Sequence, residues 1–382
     1  MPRQPANYPG PGEIAIFQPE FVEFGGEERV ILSLSRELHA QGKKHSVLCY
    51  WDQINLSQYA TWPLTVHQLA PARNPLAKVL SLRRCLQHLH LAGSPTPALF
   101  NIQSAYHAGM AVNSPYHLRI PDTYSLLGFK PEGAAPTAST LAETLKTGVS
   151  KALSQAATGR GIRRAGGFVT NTVALRDEMK ALYGRSAHVI YLGGFGGLAR
   201  HAPQRAARPI ELLSVSRLQS SKRIDWILGA LGEVRDQQGR FPAWHLNVAG
   251  TGPDQDALKR LSQSLGLGAQ VTFHGFVSDE QLKALYEKSH VFLMPAKQGY
   301  GLPAIEALYQ RLGLVVSEES GVVELLYKTH WVSIARGGKA GFATALKEML
   351  IRVGDANFSK QPLPELPTEE AWAKKLIVEF RW

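Results

Sequence analysis

Cysteine is nearly absent from this sequence: 382 residues contain two, Cys49 and Cys85. Two thiols cannot build a disulfide framework or a cysteine-rich metal centre, and such sparing use suits a reducing compartment. Long apolar runs are missing as well. No stretch approaches roughly 18 consecutive apolar residues, the length of a membrane-crossing helix. The opening MPRQPANYPGPGE is rich in Pro and Gly and has no apolar core, so no signal peptide is expected, and the expected location is cytoplasmic. There is no low-complexity tract, no short-period repeat and no run of stacking aromatics, which argues against a nucleic-acid-binding module. Acidic charge is the scarcer sign: 31 Asp and Glu face 42 Lys and Arg, for a net charge of +11. Residues 1–200 hold 20 basic against 12 acidic side chains, and residues 201–382 hold 22 against 19. A basic first half suits an anionic partner such as phosphate or a membrane surface, or is simply a solvated surface.

What is present is an ordinary globular composition, 44% hydrophobic and 19% charged, long enough for two domains with their own cores. Short apolar runs alternate with helical patterns. EIAIFQP (13–19), HSVLCYW (45–51), PLTVHQL (63–69), PALFNIQ (97–103), PYHLRIP (115–121), GGFVTN (166–171) and HVIYL (188–192) predict strands. Between them, 25–44, 74–91, 139–157 and 172–184 predict helices. Strand, helix, strand at this spacing implies parallel sheets with crossover helices. The pattern breaks in GGFGGLARHAPQRAARP (193–209), a linker by composition. A second series follows, with strands at 210–216, 244–250, 271–275, 290–295 and 312–317 and helices from about Lys222, over 254–265 and from about Pro303. The expected fold class is therefore α/β, two Rossmann-like domains facing each other across a cleft, with ligands beyond the carboxyl ends of the strands. The last helix, 369–382, is amphipathic.

Five segments carry chemistry. In SVSRLQSSKRIDWIL (214–228), Arg217 and Lys222 stand at a strand-to-helix junction. A planar fork and a point charge beside a helix N-terminus suit a diphosphate, or are plain surface charge. In VAGTGPDQDALKRL (248–261), Gly250 and Gly252 lack the third glycine and the distant acid of a dinucleotide fingerprint, so tight-turn packing explains them better. Asp254 and Asp256 imitate a metal-binding pair, but acids in a first helical turn stabilise the helix dipole, and no metal is assigned. In YLGGFGGLAR (191–200), Gly194, Gly196 and Ala199 match a GxGxxA spacing without a following helix, and an interdomain hinge is the better expectation. Gly25 and Gly26 precede a helix after the first strand, where exposed amides can hold an anion or simply form a loop. Finally, KQGYGLPAIEAL (297–308) sets glycines and a helix carrying Glu306 eight residues after Gln298. A buried Glu needs a partner, either ribose hydroxyls or a structural amide.

In this order the five segments resemble the retaining nucleotide-sugar glycosyltransferases of the GT-B fold known as glycosyltransferase family 4. The resemblance rests on Gly25-Gly26, on Arg217 and Lys222, on Gly250-Thr251-Gly252-Pro253, on His274-Gly275-Phe276-Val277, and on Gln298 to Leu308. It covers nearly the whole chain and is strongest over 210–325. It implies an acceptor-binding N-terminal domain (1–200), a nucleotide-sugar-binding C-terminal domain (201–365) and a last helix (366–382) crossing back to the first domain. Arg217 and Lys222 would stabilise the departing diphosphate, and Glu306 would bond the ribose. Gln298 and the amides of Gly299, Tyr300, Gly301 and Leu302 would grip the donor sugar. Phe276 and Val277 would border the base, and Gly25 and Gly26 would approach the diphosphate from the other domain. No metal or other cofactor is implied; the nucleotide sugar is a substrate.

Two departures stand out. The first acid of the family's loop is here Gln298, which keeps hydrogen bonds but loses the charge. Many members also place His-Asp at the end of the strand that here ends in Pro121-Asp122, with His117 and His107 as alternative histidines. The expected function is transfer of a sugar from a UDP- or GDP-sugar to a glycan or glycolipid, with retention of configuration. The alternative is a GT-B-shaped binding or partner protein with weak or no transfer. LAKVLSLRRCLQHLHL (76–91) is a basic amphipathic helix candidate; a plain surface helix is the better expectation, and the alternative is a peripheral contact with an anionic membrane at the inner face.

Overall fold

A computed structural model describes residues 8–69, 75–111, 114–121, 141–195, 209–237, 239–327, 329–355 and 357–382. The described chain divides into two compact units. One gathers the residues up to Leu192 together with Glu369–Trp382, and the other holds Gly193–Thr368. Most of the 193–209 linker, with Gly196 and Ala199 of its glycine motif, and Asp122 lie outside the described residues.

In the first unit the strands are β1 (Ile14–Phe17), β2 (Glu20–Phe21), β3 (His45–Cys49), β4 (Trp51–Asp52), β5 (Thr65–Gln68), β6 (Ala98–Phe100), β7 (His117–Ile120), β8 (Gly167–Thr170) and β9 (His188–Val189). The helices are α1 (Gly26–Ala40), α2 (Pro75–Leu91), α3 (Ile102–Ala111), α4 (Leu141–Arg164) and α5 (Val173–Tyr183). Seven of the strands form one parallel sheet in the order β5-β3-β1-β6-β7-β8-β9. Its central strands are apolar and buried on both faces, as parallel sheets under crossover helices must be. α1 buries Val30, Ile31, Leu34 and Leu38, the apolar stripe set by a 3.6-residue period. α3 falls where sequence patterning extended a strand to residue 103. Asn101, in left-handed backbone at φ 64°, ends the strand, and its Oδ1 accepts from Ser104 N in the first turn of α3. α4 runs to Arg164, past the predicted end at 157, because Gly159 and Gly161 sit inside it as packing residues. A Cβ on Gly161 would lie 1.9 Å from Ala105 O of α3, and one on Gly109 of α3 would lie 1.7 Å from Ala157 O. The two helices cross backbone to backbone.

The second unit holds β10 (Ile210–Val215), α6 (Ile224–Asp236), β11 (Trp244–Ala249), α7 (Gln255–Ser264), β12 (Val271–Gly275), α8 (Asp279–Lys288), β13 (Val291–Met294), α9 (Leu302–Tyr309), β14 (Gly313–Ser317), α10 (Val323–Leu326), β15 (Val332–Ala335) and α11 (Gly338–Val353). Its six strands are parallel in the order β12-β11-β10-β13-β14-β15. Strand order reverses between β10 and β13, which places a crevice at their carboxyl ends. The helix expected from about Lys222 begins two residues later. Ser220–Lys222 is a 3₁₀ turn, Arg223 takes left-handed backbone at φ 55°, and α6 starts at Ile224. Both units have the α/β, Rossmann-like topology expected of the sequence.

The final helix, α12 (Glu369–Glu379), belongs to the first unit. Trp372, Leu376 and Ile377 are buried there, and Glu369 accepts from Ser33 Oγ at 2.6 Å and Arg36 Nη2 at 2.8 Å, both on α1.

Candidate functional site

The site is built at the β10/β13 reversal of the second unit. Three cations leave the end of β10, and the structure treats them differently. Arg217 is exposed, and its side chain makes no hydrogen bond or ion pair with the described residues. Arg223 is neutralised: it pairs with Glu319 at 2.5 Å and lies over the Trp226 ring at 4.4 Å. Lys222 is part-buried, and its ammonium donates to the side-chain carbonyl of Gln298 at 3.1 Å. Burial pushes its pKa below the ordinary lysine value. A half-desolvated ammonium facing a neutral amide is an incomplete electrostatic arrangement, and a bound anion would complete it.

Glycines bring the neighbouring turns close to these cations. Gly250 has φ +126°, and a Cβ there would stand 1.9 Å from Ser216 O; one on Gly252 would stand 2.1 Å from Leu218 O. Leu218 N donates to Thr251 O and Gly250 N to Gly275 O, so the ends of β10, β11 and β12 form one rim. Packing alone is enough to require glycine at both positions. Asp254 is the N-cap residue of α7 and Asp256 lies in its first turn.

The Gln298–Leu302 loop follows β13. Gln298 O accepts from Gly321 N and Tyr300 O from Val322 N, so the loop is braced along residues 320–322. Gln298 Nε2 contacts Met294 Sδ at 2.7 Å, which turns the amide oxygen toward Lys222. Gly301 at φ +122° caps α9, with Leu302 and Pro303 as its first residues. A Cβ on Gly301 would meet Met294, Gln298 and Ser320 side chains within 3.1 Å. Tyr300 is buried, and Gly299 is partly exposed.

Glu306 is half-buried on α9 and has its partners: Phe195 N donates to one carboxylate oxygen at 3.3 Å and Tyr286 Oη to the other at 3.1 Å. Of the two partners expected for this acid, a structural amide is therefore present. Sequence reasoning missed Tyr286, since nothing in the spacing of α8 signals that its hydroxyl reaches α9. Beyond Gly275, Phe276 is 85% exposed and Val277 half-buried. Both border a cavity of about 300 Å³ between the end of β12 and α8.

In the first unit the glycine pair stands at the start of α1. Gly25 N already donates to Glu28 Oε2 at 3.0 Å, while a Cβ on Gly26 would meet nothing within 4 Å. Glu27, in the same turn, pairs with the buried Arg119 at 2.6 Å. His117 lies at the amino end of β7, stacked on Phe380 at 4.5 Å, away from the carboxyl ends where ligands bind. His107 is buried on α3, edge-on to Tyr50, and burial with the nearby Lys78 lowers its pKa to about 4.

Residues 199–350 match the family model described as glycosyl transferases group 1. An uncharacterized glycosyltransferase of Methanocaldococcus jannaschii, MJ1607, is 31% identical over 116 residues, 30% of this chain and 29% of that protein. The GDP-mannose-dependent alpha-(1-6)-phosphatidylinositol monomannoside mannosyltransferase of Mycolicibacterium smegmatis is 33% identical over 158 residues, 38% of this chain and 39% of that one. The chain thus spans well under half the length of these relatives. Among solved structures, the lipopolysaccharide outer core galactosyltransferase WaaB superposes with a TM-score of 0.70 at 15% identity, covering 97% of this chain and 99% of that one. Anabaena HepE in complex with UDP superposes with a TM-score of 0.66 at 16% identity, covering 96% and 99%. These superpositions establish the GT-B fold.

Proposed function

We propose, from the match of residues 199–350 to the family model described as glycosyl transferases group 1, that the chain moves a sugar from a UDP- or GDP-sugar to a glycan or lipid-linked acceptor, with retention of configuration and without a metal. The observation that carries this is the Lys222 ammonium, part-buried and held only by the Gln298 amide among the described residues, beside the unpaired Arg217. A diphosphate supplies the negative charge this rim lacks. In transfer, the bond from the anomeric carbon to the diphosphate breaks, and Lys222 and Arg217 stabilise the charge gathering on the leaving phosphate. Gln298 and the Gly299–Leu302 amides hold the sugar, and the Glu306 carboxylate bonds the ribose beside Tyr286. The GDP-mannose dependence of the mycobacterial relative and the UDP bound to HepE support a donor of this class.

The test is to incubate the protein with UDP- and GDP-sugars in the presence of a chelator and follow binding, slow donor hydrolysis and the anomer released. Binding, undiminished by the chelator, with a retained anomer is expected. Absence of binding by any nucleoside diphosphate or its sugar would end the proposal. The loss of charge at Gln298 favours one other reading, a donor-binding protein without turnover. Gln298→Glu separates the two: in an enzyme it changes the rate of donor cleavage, and in a binding protein both forms hold the donor and cleave none.

For the acceptor side, α2 supports a peripheral contact with an anionic bilayer. Its buried face holds Val79, Leu82, Cys85, Leu86 and Leu89, while Leu76, Leu80, Arg83 and Arg84 point outward. No helix among the described residues is long and apolar enough to cross a membrane. Co-sedimentation with vesicles containing anionic lipid, lost in Arg83→Glu/Arg84→Glu and on neutral vesicles, is the expected result. No sedimentation at low salt would remove the membrane from the proposal.

A further inference from the structure

Gly194, the first glycine of the GxGxxA spacing in 191–200, is seated against α9. A Cβ there would stand 2.9 Å from Glu306 Cγ, 3.1 Å from Glu306 N and 3.2 Å from Tyr309 Cε2, so only a bare backbone fits. Glu306 and Tyr309 stand three residues apart on α9, on one face of the helix. Tyr309 is 1% exposed, and its hydroxyl is used twice. Gly194 N donates to it at 3.1 Å in a buried bond, and it donates to Pro367 O at 2.5 Å. Thr368, the next residue, forms a parallel bridge with Gly194. Both ends of the Gly193–Thr368 segment therefore converge on one phenol. From the seated backbone, Phe195 N donates to Glu306 Oε1 at 3.3 Å, while Tyr286 Oη donates to Oε2 at 3.1 Å.

We infer that Tyr309 is a positioning residue for donor binding: it pins the 194–195 backbone to α9, and that backbone holds the Glu306 carboxylate ready for the ribose diol. This rests on the nucleotide-sugar site proposed above, with Glu306 as the ribose partner. A Glu side chain has three rotatable bonds and loses that freedom when a ligand fixes it. Here a bond to each oxygen sets the carboxylate before any ligand arrives, which is preorganisation. A carboxylate offers about four acceptor directions, so holding it in this way does not by itself exclude a diol. The hydroxyl matters because of what its removal leaves behind. Without it the buried Gly194 N–H and the Pro367 carbonyl lose a partner, and an unpaired buried polar group carries its desolvation penalty. The 194–195 backbone then lifts toward water, and Phe195 N leaves the carboxylate. A tyrosine at the end of a short helix carries no sequence signal for this role, since its two partners lie 115 and 58 positions away.

The test is calorimetric binding of UDP, GDP and their 2′,3′-dideoxy forms to the full chain, with Tyr309→Phe and Gly194→Ala beside the parent. Phenylalanine keeps the buried ring and removes only the hydroxyl. Alanine at 194 lifts the same backbone by its Cβ and leaves Tyr309 intact. For whichever nucleotide binds the parent, each variant is expected to weaken the ribose form roughly three- to tenfold, the size of one lost hydrogen bond, and to leave the dideoxy form unchanged. That split separates positioning from a general loosening of the fold, which would weaken both forms together. Glu306→Ala should erase the preference for the ribose form, and Tyr309→Phe added to it should bring no further loss. Equal weakening of both forms, no weakening in either variant, or additive losses in the double variant would overturn the inference. If the parent holds the dideoxy forms as tightly as the ribose forms, the ribose role of Glu306 falls and this inference with it, while the diphosphate site stands. If no diphosphate binds, the nucleotide-sugar reading itself falls.

Discussion

Lys222→Ala is expected to lower kcat/KM for the nucleotide sugar by about 10²- to 10³-fold, while the free protein melts no lower than the parent. Removal of a purely structural residue would lower both together. The ammonium is part-buried, and the Gln298 amide oxygen accepts from it at 3.1 Å. Burial disfavours its charge, so its folded pKa lies below the unfolded one. The sign follows from linkage: the unfolded chain holds this proton more tightly, so charging Lys222 lowers stability. That deficit is complete below the folded pKa and disappears as pH rises to the unfolded value. Donor binding runs the other way. A diphosphate needs the ammonium, so affinity should weaken as pH rises through the depressed pKa, and this pH dependence should be missing from Lys222→Ala. Parallel thermal melts and nucleotide titrations across alkaline pH decide the matter. A clear drop in melting temperature together with unchanged donor affinity would show that Lys222 is structural.

The largest expected loss of stability lies in the other unit. Gly161→Ala should destabilise it by on the order of 3 kcal/mol, the upper end of overpacking costs, although Ala in place of Gly inside a free helix gains roughly 0.5–1 kcal/mol. The contact decides the sign. An alanine Cβ at 161 would stand 1.9 Å from the Ala105 carbonyl oxygen, a backbone atom that no rotamer change can move. Relief requires α3 and α4 to separate, which opens the core around Ala105, Ala108 and Ile162. Gly109→Ala attacks the same crossing from α3, with its Cβ 1.7 Å from Ala157 O. The double variant should therefore cost less than the sum of the singles, because one separation serves both. Hydrogen exchange or limited proteolysis of this unit reads the loss. Wild-type protection in either single variant would mean that the helices do not cross this closely.

Much of the architecture is legible from residue order because parallel sheets write themselves plainly. Their strands are buried on both faces and read as unbroken apolar runs, as in IAIF (14–17) and VFLM (291–294), both fully buried. The pattern is weaker where one residue's backbone changes the outcome. Asn101 in left-handed conformation cuts a predicted strand short and starts α3, and Arg223 in the same conformation delays α6 past Lys222. Left-handed conformations of non-glycine residues leave no periodic signal.

Residue types and spacing by themselves determined the α/β class, the doubly repeated strand–helix pattern and the five segments near the strand ends that carry the family resemblance. These properties depend on neighbours a few residues apart. The tertiary structure alone decided which charges are already answered. It paired Arg223 with Glu319 and left Lys222, one residue earlier, facing a neutral amide 76 positions along the chain. It likewise oriented the Asn247 amide, whose nitrogen donates to Glu211 and whose oxygen receives His274 and Lys288. Hydrogen bonds of this kind join strands and helices far apart in sequence, and their direction depends on which atom folding brings within about 3 Å.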